Sequence, residues 1–160
     1  MTSLRVSHIG ICVSDWERSL RFYHDQLGFR FVDEQNLAGA FPETLHRLKG
    51  VGIHTASLER EGVRIELRQF TSPSSISSHR DVEPGRDPLF DRPGSTHLAM
   101  RVDDLDAALA KLAAAGVEVM RDTRAEAAAG ELGPGLPARR AIFICDPDGM
   151  PIELQETSGD

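Results

Sequence analysis

The chain has 160 residues, 40% of them hydrophobic, and a formal net charge of -7. That is enough for one compact unit of ordinary domain size, or for two small modules sharing a core. The acidic balance argues against a nucleic-acid surface, which needs a positive patch to release counterions from phosphates. No apolar run approaches the roughly 18 residues of a membrane span, and residues 1–10 lack a basic region followed by an apolar one. A soluble, cytoplasmic protein with no nucleic-acid or membrane partner is therefore expected. The two cysteines, Cys12 and Cys145, lie in strand-like segments without CxxC spacing. Neither a disulfide framework nor a thiolate zinc site is indicated, and both are expected to be small buried hydrophobes.

Along the chain, HIGICV (8–13) reads as a strand and the following DWERSLRFY as an amphipathic helix. Ser14 with Glu17 has the S-x-x-E form of a capping box, and Gly28 is suited to end the helix. Trp16, Leu20, Tyr23 and Leu27 form a helical stripe that reads as core, with no cofactor role. Residues 29–32 alternate as a second strand, residues 36–49 read as loop, and strands at 52–58 and 63–70 are joined by a turn at 59–62. The Ser- and Pro-rich stretch 72–95 reads as a linker. HLAMRV (97–102) then starts the same series again: a strand, a helix capped by Asp103 and ended by Gly116, and a short strand at 117–119. After a long loop at 121–140 come strands at 141–145 and 151–156, joined by Asp146-Pro147-Asp148-Gly149, strong turn chemistry. The two halves superimpose at an offset of 89 residues, which pairs Val13 with Val102, Trp16 with Leu105 and Leu20 with Leu109. The reading is an α+β fold of two tandem β-α-β-β-β modules, 1–71 and 96–160, joined by 72–95 into one structural unit.

Strand alternation then separates the polar residues by face. Ile9, Ile11 and Val13 leave His8 on the other side of its strand, and Leu98, Met100 and Val102 do the same for His97. Val63, Ile65 and Leu67 leave Glu66 opposite, as Ile152 and Leu154 leave Glu153. Glu66 follows His8 by 58 residues and Glu153 follows His97 by 56. A single histidine on a strand is usually structural and a single glutamate usually solvated. Here both recur at equivalent places in both halves, on the same expected face. Neutral imidazoles and carboxylates suit Zn, Ni, Co, Mn or Fe, and two carboxylates neutralise a dication. One divalent ion held by His8, Glu66, His97 and Glu153 is the expected cofactor. Arg64, Arg68 and Arg101 share that parity and are candidates for contacting an anionic substrate, with Arg139 and Arg140 reaching in from the long loop.

At these residues the chain resembles the vicinal oxygen chelate superfamily, which includes glyoxalase I, methylmalonyl-CoA epimerase, extradiol dioxygenases and antibiotic-resistance proteins. The resemblance rests on HIGICVSDWERSLRFYHDQLGF, THLAMRVDDLDAAL and FICDPDGMPIELQE and spans nearly the whole chain. It implies a curved mixed sheet in which paired modules make a cup around the metal, often within a homodimer. It also implies the ligand set His8, Glu66, His97 and Glu153, in which Glu66 resembles the glyoxalase pattern; the epimerases commonly have glutamine there.

The expected activity is metal-assisted proton transfer beside a carbonyl on a small chelating substrate, of lyase, isomerase or epimerase type. The resemblance implies that Glu153 or Glu66, detached from the ion, is the base. His54, in the strand before Glu66, is a second candidate base if it faces the same side. The alternatives are an Fe(II)-dependent extradiol-type dioxygenase using His8, His97 and Glu153 without Glu66, and a binding protein that sequesters a ligand without chemistry.

Overall fold

The structure, a computed structural model, describes residues 5–72, 94–120, 125–126 and 138–157. The chain divides into two compact units, Met1–Ser78 and His79–Asp160. Apart from their ends and residues 125–126, the expected linker 72–95 and the long loop 121–140 lie outside the described residues.

The first unit runs β1 (Ile9–Cys12), α1 (Trp16–Leu20, continued by a π-helical turn at Arg21–Gln26), β2 (Arg30–Ala38), α2 (Ala40–His46), β3 (Gly52–Arg60) and β4 (Val63–Ser72). The second runs β5 (Leu98–Val102), α3 (Leu105–Ala114), β6 (Ala125–Glu126), β7 (Ala138–Cys145) and β8 (Pro151–Thr157). Each unit forms one four-stranded mixed sheet, in the orders β1-β4-β3-β2 and β5-β8-β7-β6. The first strand of each lies parallel to the last, β1 on β4 and β5 on β8, and the other pairings are antiparallel. The long connection that a parallel pair requires runs through the helix and the two intervening strands. The duplicated β-α-β-β-β order is thus present in both halves.

Both first helices start one residue later than expected. Asp15 caps α1, its Oδ1 accepting from the Arg18 amide at 2.9 Å, and Asp104 caps α3, accepting from Ala107 at 2.9 Å. Ser14 and Asp103 are as able to cap, but the side chain that reaches the orphan amide three residues on decides the position. The offset of 89 survives, since Asp104 stands at Asp15 plus the repeat. Gly28 (φ 74°) and Gly116 (φ 76°) end the helices in the left-handed region, as expected.

Three further expectations are corrected. Residues 36–49 are not all loop, because β2 extends to Ala38 and α2 follows, with Pro42 in its first turns, where a missing N–H costs little. The second strand of the second unit is not at 117–119: Val119 makes only an isolated bridge to Ile144, and β6 pairs with β7 instead. Cys145 is buried but Cys12 is exposed, because Cys12 shares the parity of His8. The β3–β4 turn narrows to Glu61-Gly62, with φ of 51° and 79°. Positive φ at both positions matches the right-handed twist of a two-residue hairpin. In the Asp-Pro-Asp-Gly turn, the buried Asp146 accepts from the amides of Asp148 (2.9 Å) and Met150 (2.7 Å).

The core of the first unit lies between one sheet face and α1. Tyr23 and Leu27 from the helical stripe are buried, with Ile65, Leu67, Ala56 and Leu58 from the sheet; Trp16 and Leu20 are half-buried. In the second unit Leu105 and Leu112 of α3 join Ile152, Leu154, Ile142 and Ile144. Each such aliphatic side chain contributes about 1.5–3 kcal/mol relative to exposure. No helix among the described residues is long and apolar enough to cross a membrane.

Candidate metal centre

Register fixes which side chains share a face. On the parallel β1–β4 pair, Ile9 stands beside Ile65, Gly10 beside Glu66, Ile11 beside Leu67 and Cys12 beside Arg68. Ile65 and Leu67 face the core, so Glu66, Arg68, Gly10 and Cys12 face away from it. His8, two residues before Gly10, keeps that parity. Its Nε2 lies 3.5 Å from Glu66 Oε2. Ser7 Oγ is 3.1 Å from the other ring nitrogen, Nδ1. A partner at Nδ1 fixes the orientation of the ring and leaves Nε2 to act toward Glu66.

The second unit repeats the arrangement. On β5–β8, Leu98 stands beside Ile152 and Ala99 beside Glu153. His97 Nε2 lies 3.3 Å from Glu153 Oε2. Phe143, opposite Glu153 on β7, presents its ring edge-on to His97 with centroids 5.6 Å apart. In both units the carboxylate is the more covered partner, at 24% and 17% side-chain exposure against 39% and 45% for the imidazoles.

Within either unit, among the described residues, no group of three or more His, Cys, Asp or Glu side chains is arranged to hold a metal. Each unit instead supplies two donors of types that suit a borderline divalent ion, a ring nitrogen and a carboxylate oxygen converging within 3.5 Å. The chemistry of each pair, an imidazole nitrogen and a carboxylate oxygen, is of a kind that fits a divalent ion.

His54 is a different case. Its partner across β3–β4 is Gln69, and it shares the parity of the core residues Ala56 and Leu58. The ring stacks on Trp16 at 3.9 Å between centroids. Its Nε2 is buried, 3.6 Å from Glu34 Oε2 and without a hydrogen-bond partner, that distance being too long for one. His54 thus lies on the helix-covered face, away from Glu66, and the expectation that it serves as base is withdrawn.

The arginines also separate. Arg64 pairs with Glu59 at 3.3 Å, and Arg101 is exposed on β5 with the parity of Glu153. The side chain of Arg139 lies outside the described ones. Arg140 does not reach toward the donors. It holds Glu156 through two 2.8 Å hydrogen bonds and Asp106 through one of 2.9 Å, which raises its pKa further above the ordinary arginine value. Glu156 Oε1 also accepts from the Leu105 amide at 3.0 Å, so this cluster ties β7 and β8 to the start of α3 on the core side. Sequence reasoning missed His46, Phe70 and Phe143 around the pairs, and Cys12. Cys12 and Phe70 carried a signal, their even spacing from His8 and from Glu66 on the same strands.

A duplicated βαβββ unit with a His–carboxylate pair on the open face of each sheet defines the fold class. The family model for the Glyoxalase/Bleomycin resistance protein/Dioxygenase superfamily matches residues 5–154, and the chain belongs to that superfamily. It is 33% identical over 154 residues to the uncharacterized protein YaeR of Escherichia coli (strain K12), covering 95% of each chain. Among solved structures it is similar to a glyoxalase family protein from Bacillus cereus, with a TM-score of 0.79, 20% identity, and 99% and 97% of the two chains covered. It also shares its fold with the fosfomycin resistance protein FosX of Listeria monocytogenes, solved with Mn(II) and sulfate. There the TM-score is 0.56 at 16% identity, over 99% and 95% of the chains.

Proposed function

We propose that the protein is a divalent-metal-dependent enzyme that moves a proton beside a carbonyl on a small substrate with two neighbouring oxygens. His8, Glu66, His97 and Glu153 are the ligands in this reading. The observation that carries it is the recurrence, in both units and at the same register, of an imidazole and a carboxylate 3.5 and 3.3 Å apart on the face away from the core. A superfamily neighbour binding Mn(II) supports it. The metal, Zn, Ni, Co, Mn or Fe(II), supplies Lewis acidity that polarises the carbonyl and acidifies the adjacent C–H. The rest falls to the chain. Ser7 steadies the His8 ring, and Phe143 walls the His97 ring. Glu66 or Glu153 takes the proton from carbon and returns it, as a carboxylate with a free oxygen can. The same reading takes the protein as cytoplasmic, as its composition suggests, and as a homodimer, on the family resemblance alone.

One observation favours a second reading. Arg68 Nε lies 3.4 Å from Glu66 Oε2, whereas the residue two beyond Glu153 is Gln155, which carries no charge. An arginine competing for Glu66 suits a two-His, one-carboxylate set of His8, His97 and Glu153, the Fe(II) dioxygenase arrangement.

The test is elemental analysis and metal titration of untagged protein, with about one ion per four-ligand set expected. No binding of Zn, Ni, Co, Mn or Fe(II) above background overturns the proposal and leaves a ligand-sequestering protein. Solvent-deuterium exchange into hemithioacetals, 2-oxo thioesters and acyl-CoA compounds without oxygen supports proton transfer. Oxygen uptake with catechols by the Fe(II) form supports the second reading.

A further inference from the structure

Glu66 has a cationic neighbour whose surroundings are built with care. Arg68, two residues on along β4, points to the same face. One terminal N–H of its guanidinium donates to His46 Nε2. His46 Nδ1 lies 2.9 Å from the Pro42 carbonyl oxygen, which can only accept, so Nδ1 carries the proton and Nε2 is left as an acceptor. The imidazole is thereby set as a neutral rest for the arginine. Phe70 lies beneath the guanidinium, 5.4 Å from its carbon to the ring centroid, and His46 stands edge-on to the same ring at 5.8 Å. Gly10 leaves room for the arginine stem: a Cβ there would stand 3.3 Å from Arg68 Cδ, tighter than side chains normally tolerate.

Orientation by a histidine, backing by an aromatic ring and clearance at a glycine give a fixed cation, yet one of its donors is poorly matched. Nε is buried and 3.4 Å from Glu66 Oε2, but without the alignment of a hydrogen bond. A buried N–H of a charged group left without an acceptor is unfavourable. Arg140 shows the contrast, its guanidinium holding two carboxylates through three hydrogen bonds. The Arg68 guanidinium is nonetheless part-exposed, and a fixed, planar cation whose remaining N–H groups lie on the open face beside Glu66 favours a planar or tetrahedral oxyanion.

We propose that Arg68, oriented by His46 and backed by Phe70, binds an oxyanion of the substrate, a carboxylate or phosphoryl group, and that this site therefore takes anionic small molecules. The substrate assignment rests on the His–Glu reading above, whereas the anion subsite belongs to Arg68 and is tested without metal. The experiment uses the full chain stripped with EDTA and follows the Arg68 Nε–H and the Gly10 amide by 15N-edited NMR. Inorganic phosphate and succinate are titrated separately. Saturable shifts at Arg68 and Gly10 are expected, with affinity falling about tenfold or more in Arg68→Gln and unchanged in Arg64→Gln, whose arginine is paired with Glu59. Should Arg68→Gln fail to fold, Arg68→Lys, which keeps the charge but loses the fork, is expected to bind several-fold more weakly. A response to phosphate alone assigns a phosphoryl group, and to succinate alone a carboxylate. No shift at Arg68 with either anion, or equal affinity in the wild type and the foldable Arg68 variant, overturns the inference. Anion binding in a protein that takes up no divalent metal supports the subsite and removes only the metal reading.

Discussion

The two units carry the same pair of donors in different company. In the first, Glu66 stands beside Arg68, which is held in turn by His46 and Phe70. In the second, Glu153 is followed by Gln155, and His97 leans on an uncharged ring, Phe143. The arginine of the second unit that makes comparable contacts, Arg140, sits on the opposite face and serves the packing of α3. The two halves thus share the pairing of imidazole and carboxylate while their neighbours differ: in the first Arg68 is held against Glu66, and in the second Arg101 stands exposed beside Gln155 while Arg140 serves the packing of α3.

The sharpest way to break this comparison is to neutralise each carboxylate in turn. Glu66→Gln and Glu153→Gln are both expected to weaken Mn(II) or Zn(II) binding by more than about a hundredfold, beyond the roughly 10–100-fold typical of residues that only support a ligand. Calorimetric titration measures it. Loss in Glu153→Gln with near-normal binding in Glu66→Gln would place Glu66 with Arg68 instead of the metal.

A smaller and equal effect is expected where the copies have not diverged. Asp15→Ala and Asp104→Ala each remove a cap with the same 2.9 Å bond, and each should cost about 0.5–2 kcal/mol in urea denaturation. A cost confined to one unit would show that only one helix depends on its cap. Smaller still, His46→Leu should weaken phosphate binding at Arg68 about threefold through loss of one neutral acceptor, and His46→Gln, which still presents an acceptor, should restore most of it. Equal affinity in all three proteins, read by the same NMR titration, would remove His46 as a positioning residue.

What was legible in the sequence follows from how far each signal reaches. Alternation assigns faces where the residues flanking a polar one on its strand are aliphatic, as Ile65 and Leu67 flank Glu66 and Ile152 and Leu154 flank Glu153, and where His8 and His97 precede the alternating Ile9, Ile11 and Leu98, Met100. On β3 it fails, because Ile53 and Ala56 are both buried although they lie on opposite faces. His54 therefore had no readable side. The caps shifted by one residue because Ser14-Asp15 and Asp103-Asp104 each offer two competent side chains in a row. The seven residues of α2 are too few for a helical period to emerge, so the element that presents His46 to Arg68 was hidden. Arg140 was misread because its partners Glu156 and Asp106 are distant in sequence, and adjacent arginines at 139 and 140 give no clue to which one turns inward.

The parallel pairing at the edge of each sheet has a kinetic consequence. The β3–β4 hairpin closes across a two-residue turn, whereas β1 meets β4 only by joining Ile9 to Ile65, and β5 meets β8 by joining Leu98 to Ile152. Closing so long a loop loses more chain entropy than closing a hairpin, and it earns its contacts only once the rest of the sheet exists. Each first strand is therefore expected to dock last in its unit, an order that pulsed hydrogen exchange at the β1 and β5 amides would check. Because His8 and His97 stand at the head of those strands, a nascent or partly unfolded unit carries its carboxylate on a three-stranded sheet with no imidazole beside it. Assembly of each His–carboxylate pair would then coincide with completion of its unit's fold.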